Sequence, residues 1–337
     1  MTKTLIVHIG AGKTGTSSIQ AALKENGKLL EQHRVKYLGM LLEYSHKEYP
    51  WQFPGGSVDF LRLPVGRQKR EVLDILKKEI EGDDSTDTLV WSNEWMFGRH
   101  NTFIPALNAA KEFGYNVIIV CYVREHGSWS RSAYEQWGIK HKTYVGEIKT
   151  YREYFEANPI RFMASINPWI KAFDCNVKLR NFESRGDVVS DFFAELGINE
   201  EFRASRVNEK LSPEELLARA VFNNLSPSPT SPVEFLRCFR AQELHTPLGS
   251  ESWMKRLLPT PDDIEWLRKA TSADLGQLNQ ILKSSGEPPL VYREVRLSEY
   301  KNNQDVLNML LLQLLTIQAK RISRLESELS IRKSKQA

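Results

Sequence analysis

Short apolar runs alternate with amphipathic stretches along the first two thirds of the chain. The apolar, β-branched runs predict buried parallel strands at Thr4–Ile9, Thr88–Ser92, Val117–Val123 and Val177–Leu179. Helical periodicity separates them, over Ser17–Gln32, Arg67–Glu81, Thr102–Phe113, Ser128–Lys140 and Asp187–Leu196. This alternation predicts an α/β fold of three layers, with a central, mostly parallel sheet flanked by helices.

Other segments are predicted to be loops or further helices. Residues 40–66 are rich in aromatic residues, proline and glycine, which predicts an irregular region that either lines a binding pocket or packs as a surface insertion. Ser226–Pro232 is a proline-rich breaker. Helical patterns resume at Val233–Glu243, Pro261–Lys269 and Asp274–Leu282. Gly197 is predicted to be a left-handed helix cap.

The last forty or so residues have a different pattern. Asn303–Lys335 favours one long helix with a partial heptad repeat. The heptad core positions are Asn308, Leu311, Leu315, Gln318, Ile322, Leu325 and Leu329. We therefore predict one domain at residues 1–298 and a helical extension at 299–337. Its apolar stripe would serve a homodimer contact or, with the accompanying basic residues, a peripheral membrane contact.

The densest candidate chemistry follows the first predicted strand. Residues 8–20 read HIGAGKTGTSSIQ, a loop that opens a helix. It contains Gly10, Gly12, Lys13, Thr14, Gly15, Thr16, Ser17 and Ser18. Glycine lets backbone amides at a helix N-terminus approach an anion, while lysine adds positive charge and the hydroxyls add donors. The alternative is a glycine-rich turn with a solvated lysine. The nucleoside-triphosphatase pattern G-x-x-x-x-G-K-[ST] is not met, because Val7 stands where its first glycine would be.

A second motif lies at the end of the third predicted strand. Arg124 follows the apolar run Val117–Val123, and Ser132 follows Arg124 by eight positions. Ligands of open α/β sheets bind at the carboxyl ends of strands, and a guanidinium suits a phosphate. A structural ion pair is the alternative for Arg124.

Together the two motifs resemble those of the sulfotransferases that use 3′-phosphoadenosine-5′-phosphosulfate (PAPS), and most closely the bacterial carbohydrate-type branch. Lys13-Thr14-Gly15-Thr16-Ser17 is similar to the family's 5′-phosphosulfate loop, and Arg124 with Ser132 to its 3′-phosphate motif. The resemblance implies that the loop from Gly12 to Ser18 holds the 5′ end of PAPS without a metal. It also implies that PAP is the product, and that the acceptor is a small molecule or a glycan. His126 and Ser128 depart from the family pattern, since proline and aspartate are frequent there.

Two residues are candidates for the base that accepts the proton of an acceptor hydroxyl. Glu94 follows the second predicted strand, and Trp91, Trp95 and Phe97 could desolvate its carboxylate and raise its pKa. His8 is the rival, because imidazole titrates near neutrality, but the sequence favours a hydrogen-bonded histidine that holds the loop over a catalytic base. Lys13 is predicted to neutralise the charge that grows on the leaving phosphate.

Four further residues near the predicted cleft have less defined roles. His100 and His126 are candidates for acceptor contacts. Arg206 and Asn208 either close over the cosubstrate or cap a helix.

Composition narrows the class of protein. The 337 residues carry a net charge of +4, which fits an anionic cosubstrate and does not call for nucleic acid. The three cysteines lack metal-site spacing, and no run of 18 apolar residues or leader-like segment is seen, so a cytoplasmic enzyme is expected. The alternatives are a P-loop kinase or nucleotide hydrolase with a degenerate loop, and an interaction protein without catalysis. The first requires an aspartate at a strand end to hold magnesium, and the predicted strands lack one.

Overall fold

Five parallel strands form the central sheet of the protein in a computed structural model. The structure describes residues 3–46, 48–53, 55–81, 85–203, 213–224, 226, 228–238 and 259–292, and seven residues between 311 and 325. The strands are β1 (Thr4–His8), β2 (Val35–Tyr37), β3 (Thr88–Ser92), β4 (Asn116–Val123) and β5 (Val177–Asn181). Their order across the sheet is β2-β3-β1-β4-β5. The four predicted strands are confirmed, and β2 was missed because three residues are too few to show a period.

The strand register brings the ends of β1, β3 and β4 to the same edge of the sheet. His8 of β1 lies beside Ser92 of β3 on one side and beside Val120 of β4 on the other. Because all three strands are parallel, the chain leaves each of them at this edge. The segments that follow them are therefore neighbours, as ligand sites of open α/β sheets require.

Helices occupy both faces of the sheet, so the three-layer prediction is confirmed. The described helices are α1 (Thr16–Glu25), α2 (Gly27–Gln32), α3 (Ser57–Arg62), α4 (Val65–Glu81), α5 (His100–Glu112), α6 (His126–Ala133), α7 (Tyr151–Ala157), α8 (Phe162–Phe173), α9 (Val188–Glu195), α10 (Pro213–Asn224), α11 (Pro232–Cys238) and α12 (Pro261–Ser284). On one face, α1, α2 and α9 bury a core that includes Ile6, Val90 and Phe192. On the other, Trp91 of β3 meets Phe103 of α5 edge-on, with ring centroids 5.7 Å apart.

Four predicted helices differ from the observed ones. Ser17–Gln32 is broken at Asn26, whose side-chain amide donates to the carbonyl of Ala22 at 2.7 Å and so competes with the helical pattern. Ser128–Lys140 is instead the end of α6 followed by a π-helical segment, Tyr134–Lys140. The two patterns from Pro261 onwards merge into the single helix α12.

The aromatic region 40–66 contains structure that its composition hid. A 3₁₀ turn, Pro50–Gln52, and α3 lie within it. Trp51 is buried, and its indole nitrogen donates to Glu71 of α4 at 2.7 Å. The contact of Trp51 with α4 therefore supports the interpretation of this region as a packed insertion. Three further 3₁₀ turns are Glu94–Met96, Asp174–Asn176 and Phe182–Ser184.

The chain divides into two compact units. The first comprises Met1–Trp129, Ile160–Glu209 and Lys269–Arg293 and contains the sheet, whereas the second comprises Ser130–Pro159, Lys210–Arg268 and Glu294–Ala337. In the second, the buried ammonium of Lys142 donates to the carbonyls of Gly146 and Asn223 at 2.6 and 2.9 Å.

Part of the C-terminal prediction lies outside the described residues, including the boundary at 298/299 and most of Asn303–Lys335. The seven described residues there are helical. Five of them are predicted heptad positions, and four of these, Leu311, Leu315, Ile322 and Leu325, are 44% to 66% exposed. Arg206 and Asn208 also lie outside the described residues.

The predicted left-handed cap at Gly197 is confirmed, with φ of 78°. Over the described part of the chain, none of the helices combines the length and apolar character needed to cross a bilayer.

Candidate functional site

The loop between β1 and α1 is built from left-handed backbone. Gly10, Gly12, Lys13 and Gly15 have φ values of 53°, 58°, 56° and 83°. A Cβ on Gly10 would lie 2.7 Å from Oγ1 of Thr16, and one on Gly15 would lie 2.5 Å from Cγ1 of Val188. Both glycines are therefore required for backbone conformation and for space. Lys13 adopts the same conformation with a side chain, which strains its backbone in the manner typical of functional loops.

The hydroxyls predicted to serve this loop have different environments. Thr14 is fully buried, and its Oγ1 accepts a long hydrogen bond from the amide of Ala11, at 3.5 Å. Thr16 is buried too, but its Oγ1 has no hydrogen-bond partner among the described residues. Ser17 is exposed and Ser18 is half-buried. Thr14 thus closes the turn, while Thr16 holds an unused polar atom beside Gly10, where a ligand oxygen would satisfy it.

The first turn of α1 provides backbone donors next to these hydroxyls. Gly15 is its N-cap residue, and no side chain caps the turn. The carbonyl of Gly15 accepts from the amides of Ser18 and Ile19, both at 3.0 Å. An N-terminus without a side-chain cap, preceded by left-handed glycines, favours an anion.

Glu94, which follows β3, lies against the loop. Its Cβ would be 3.3 Å from a Cβ on Gly10. Its carboxylate accepts a hydrogen bond of 3.2 Å from the side-chain amide of Gln20 in α1, and the same amide donates to the carbonyl of Ser92 at 3.0 Å. Glu94 is half-buried. Gln20 is a site residue that the sequence did not reveal, because its partner lies 74 positions away.

Two of the three aromatic residues predicted to surround Glu94 pack on other rings. Trp91 packs on Phe103, and Phe97 meets Phe162 edge-on with centroids 5.9 Å apart. The backbone amide of Trp95 donates to the side chain of Asn93, which caps the turn that carries Glu94. A capped turn fixes the carboxylate relative to the end of β3.

His8 lies within the core rather than at an open cleft. It is fully buried, its Nδ1 shares a hydrogen bond of 2.8 Å with Oγ of Ser92, and its ring packs on Tyr122 and Phe192. Burial lowers the pKa of its imidazole to about 3. A neutral, enclosed histidine of this kind holds β1 against β3, which supports the structural alternative for His8.

A cavity of about 420 Å³ lies beside the edge strand β2. Its lining includes Leu23 and Lys24 of α1, together with Tyr37 and Tyr44, whose ring centroids are 5.6 Å apart. Burial raises the pKa of Tyr37, and the negative charges of Glu43 and Glu94 contribute to that rise. The negative charge of Glu94 therefore reaches a tyrosine that lines the cavity.

Arg124 extends from the end of β4 at the same sheet edge as the loop. Its Nε donates to Oγ of Ser128 at 2.8 Å and lies 3.4 Å from Oε1 of Glu183. The hydroxyl of Ser128 donates to the same carboxylate oxygen, and the guanidinium lies 5.6 Å from the ring centre of Phe182. Among the described residues, its two terminal nitrogens have no partner. The guanidinium is thus held through its Nε, and its two terminal nitrogens can still donate to a ligand. The ion pair with Glu183 is therefore compatible with ligand binding by Arg124.

The segment after Arg124 is fixed by buried polar groups. Glu125 accepts hydrogen bonds from the amides of Gly127 and Ser128 at 2.6 and 2.8 Å, and burial raises the pKa of its carboxyl. His126 is fully buried, and its Nε2 lies 2.8 Å from Oδ2 of Asp274 in α12. This enclosure argues against the predicted acceptor contact at His126.

Ser132 and His100 are the other predicted site residues within the described part of the chain. Ser132 is half-buried near the end of α6 and belongs to the second compact unit, whereas Arg124 belongs to the first. His100 is the first residue of α5, is half-buried, and has a buried Nδ1 without a partner among the described residues. Together, Lys13, Thr16, Glu94 and Arg124 lie on segments that leave three adjacent strands at one edge. This arrangement brings the candidate anion-binding residues and a carboxylate to one edge of the α/β sheet.

Comparisons with known proteins give no closer assignment. No protein-family model and no curated protein matches the chain. Among solved structures, it is similar to a sulfotransferase from Alicyclobacillus acidocaldarius, with 19% identity and a TM-score of 0.38 over 66% of this chain and 93% of that one. It is also similar to retinol dehydratase in complex with androsterone and the inactive cofactor PAP, with 11% identity and a TM-score of 0.31 over 87% and 84% of the two chains. Neither match, at these scores, assigns a function to the chain.

Proposed function

We propose that the chain is a sulfotransferase that moves the sulfuryl group of PAPS to a hydroxyl of a carbohydrate, glycolipid or related metabolite. The observation that carries the proposal is the meeting of Lys13, Glu94 and Arg124 at one sheet edge. A bisphosphorylated nucleotide needs a binding group for each of its two phosphorylated ends, and an acceptor hydroxyl needs a base. We call the two binding groups, the loop with Lys13 and the Arg124 guanidinium, the anion grips. The adjacent ends of β1, β3 and β4 supply all three.

The donor would be held at its two phosphorylated ends. The loop from Gly12 to Ser18 holds the 5′ end through backbone amides, Lys13 and the hydroxyls, and Thr16 Oγ1 offers its unused donor. Arg124 holds the 3′-phosphate through its terminal nitrogens, with Ser132 as its partner by the sequence resemblance. The binding step as proposed requires no metal, because Lys13 and the helix N-terminus supply the positive charge.

Transfer would proceed by in-line displacement. The acceptor oxygen bonds to sulfur as the bond between sulfur and the 5′-phosphate oxygen breaks, Glu94 accepts the hydroxyl proton, and PAP leaves. Lys13 neutralises the charge that develops on the leaving phosphate. Gln20 orients the carboxylate of Glu94 by its hydrogen bond of 3.2 Å.

The cavity beside β2 is our candidate for the acceptor site. Tyr37 and Tyr44 provide paired aromatic rings, and Tyr37 is close enough to Glu94 to sense its charge. Aromatic faces next to polar side chains such as Lys24 suit a ring that carries several hydroxyls. These rings support a carbohydrate-type acceptor. The cytoplasmic location and the bacterial branch are part of the proposal through the sequence resemblance alone.

Ligand binding tests the proposal directly. Calorimetric titration should show that PAP binds more tightly than 5′-AMP, because only PAP reaches Arg124. Absence of PAP binding at millimolar concentration would contradict the proposal. ATP turnover that depends on magnesium would instead favour the degenerate P-loop kinase or hydrolase.

A Glu94→Gln variant tests the base. It keeps the size and the hydrogen-bonding capacity of the side chain, so PAP affinity should be unchanged. Transfer of labelled sulfate from PAPS to an acceptor in a cell extract should fall by about 10²–10⁴-fold. Glu48→Gln, on a loop, is the matched control and should retain transfer. Full transfer by Glu94→Gln would move the base to another residue.

A further inference from the structure

The indole of Trp129 is bonded directly to the phosphate loop. Its Nε1 donates to the carbonyl of Ala11 at 3.2 Å and to that of Gly12 at 3.1 Å. Trp129 lies in α6, the helix that begins two residues after Arg124. One side chain therefore connects the loop after β1 with the segment that carries the other proposed anion grip.

The position of the Trp129 ring is itself fixed. It meets Phe162 edge-on with centroids 5.1 Å apart, and Phe162 packs on the ring of His126 at 4.8 Å. Asp274 accepts hydrogen bonds from the amides of Phe162 and Met163 at 3.1 and 3.0 Å and pairs with His126. A buried polar junction of three helices thus supports the indole, which restricts where its N–H can point.

The bonded carbonyls determine where the loop amides point. In a planar trans peptide, the C=O of one residue and the N–H of the next point in opposite directions. When Trp129 holds the carbonyls of Ala11 and Gly12, the amides of Gly12 and Lys13 are directed away from the indole. The left-handed φ values of Gly12 and Lys13 describe this same turn of the backbone.

We propose that Trp129 is a positioning residue that presents the amides of Gly12 and Lys13 to the 5′-phosphosulfate and ties this grip to the helix after Arg124. The inference rests on the proposed function for the identity of the anion. The hydrogen bonds from the Trp129 indole to the carbonyls of Ala11 and Gly12, called the clamp below, exist in the ligand-free protein. They can therefore be tested separately. Nothing in the linear pattern indicates it, because the partners are 117 and 118 positions apart.

A Trp129→Phe variant removes the N–H and keeps an aromatic ring against Phe162. Loss of this three-centre hydrogen bond should weaken the binding of PAP and of 5′-AMP by about tenfold. Binding of 3′-AMP should not change, because Arg124 is untouched. A role in general packing would weaken all three nucleotides alike, and that result would overturn the proposal.

Trp169→Phe is the matched control. Trp169 is fully buried, and its Nε1 has no partner among the described residues. This variant also exchanges a buried indole for a phenyl ring, but it removes an N–H that makes no hydrogen bond. It should leave the affinities for PAP and 5′-AMP unchanged. Should Trp129→Phe not fold, benzothienylalanine at position 129 keeps the shape of the indole and replaces only its N–H.

Hydrogen exchange of the ligand-free protein separates the clamp from the proposed function. Amides of residues 9–15 should exchange faster in the position-129 variants than in the wild type and in Trp169→Phe. Unchanged exchange would overturn the clamp even if the wild type binds PAP. Faster exchange in a protein that binds no PAP would retain the clamp and reject the sulfotransferase assignment.

Discussion

The loop after β1 and the guanidinium at the end of β4 lie at one sheet edge, yet they are built by different means. The loop depends on backbone, with left-handed φ angles at Gly10, Gly12, Lys13 and Gly15 and the N-terminus of α1 behind them. Arg124 depends on side chains, since Ser128 and Glu183 hold its Nε. Backbone grips are encoded within a few consecutive residues, whereas side-chain grips need partners from distant segments.

This difference has an electrostatic consequence. The loop offers positive charge and amide dipoles to an anion. Arg124, in contrast, already faces the carboxylate of Glu183, which would repel a phosphate as well as orient the guanidinium. We therefore expect the loop to contribute more to binding and catalysis than Arg124 does.

Among variants of the loop and of the Arg124 cluster, Lys13→Ala is predicted to have the largest effect. Removal of the ammonium leaves the charge on the leaving phosphate without its counter-ion, so the rate of sulfuryl transfer should fall by about 10²–10³-fold. The measurement is transfer of labelled sulfate from PAPS under single-turnover conditions. Lys28→Ala, at an exposed lysine of α2 that does not line the cavity, is the control and should keep the rate. An unchanged rate for Lys13→Ala would remove the proposed role of this lysine.

Arg124→Ala should have a smaller and more selective effect. Loss of charged hydrogen bonds to the 3′-phosphate should weaken PAP binding by about tenfold to a hundredfold. Affinity for 5′-AMP should be unaffected, so the preference for PAP should vanish in calorimetric titration. Equal losses for both nucleotides would mean that Arg124 supports the fold, as the structural ion pair alone would require.

Glu183→Gln sharpens this test. The variant keeps a hydrogen-bond acceptor for Ser128 and removes the negative charge beside Arg124. If the carboxylate repels the 3′-phosphate, PAP should bind more tightly to Glu183→Gln than to the wild type. Weaker binding would show instead that the charge of Glu183 is needed to hold the guanidinium.

The same contrast explains what could be read from the sequence. The loop from Gly10 to Ser18 and the parallel strands were predictable, because glycine spacing and apolar runs act over short ranges. The three-residue strand β2 shows no period, and the break at Asn26 depends on a side-chain hydrogen bond that a periodic pattern does not contain.

The residues that hold the candidate site in place were harder to predict from the sequence than the candidate site residues themselves. Gln20, Trp129 and Glu183 act through partners between 55 and 118 positions away. Such contacts exist only once the strands are ordered in the sheet. The roles of His8 and His126 also depend on the fold. Each is buried with a polar partner, Ser92 or Asp274, that cannot be predicted from the residues next to it in sequence.

Gly15→Ala should give the smallest effect and tests the backbone grip alone. A methyl group at φ of 83° and 2.5 Å from Val188 should lower the free energy of unfolding by at least about 1 kcal/mol. Urea denaturation measures this change. Gly66→Ala, near the start of α4 with open space around the glycine, is the control and should raise stability by about 0.5–1 kcal/mol. If both variants were equally stable, the loop would tolerate a side chain at Gly15. The 5′ grip would then depend on Lys13 and the hydroxyls rather than on backbone geometry, and the contrast with Arg124 would disappear.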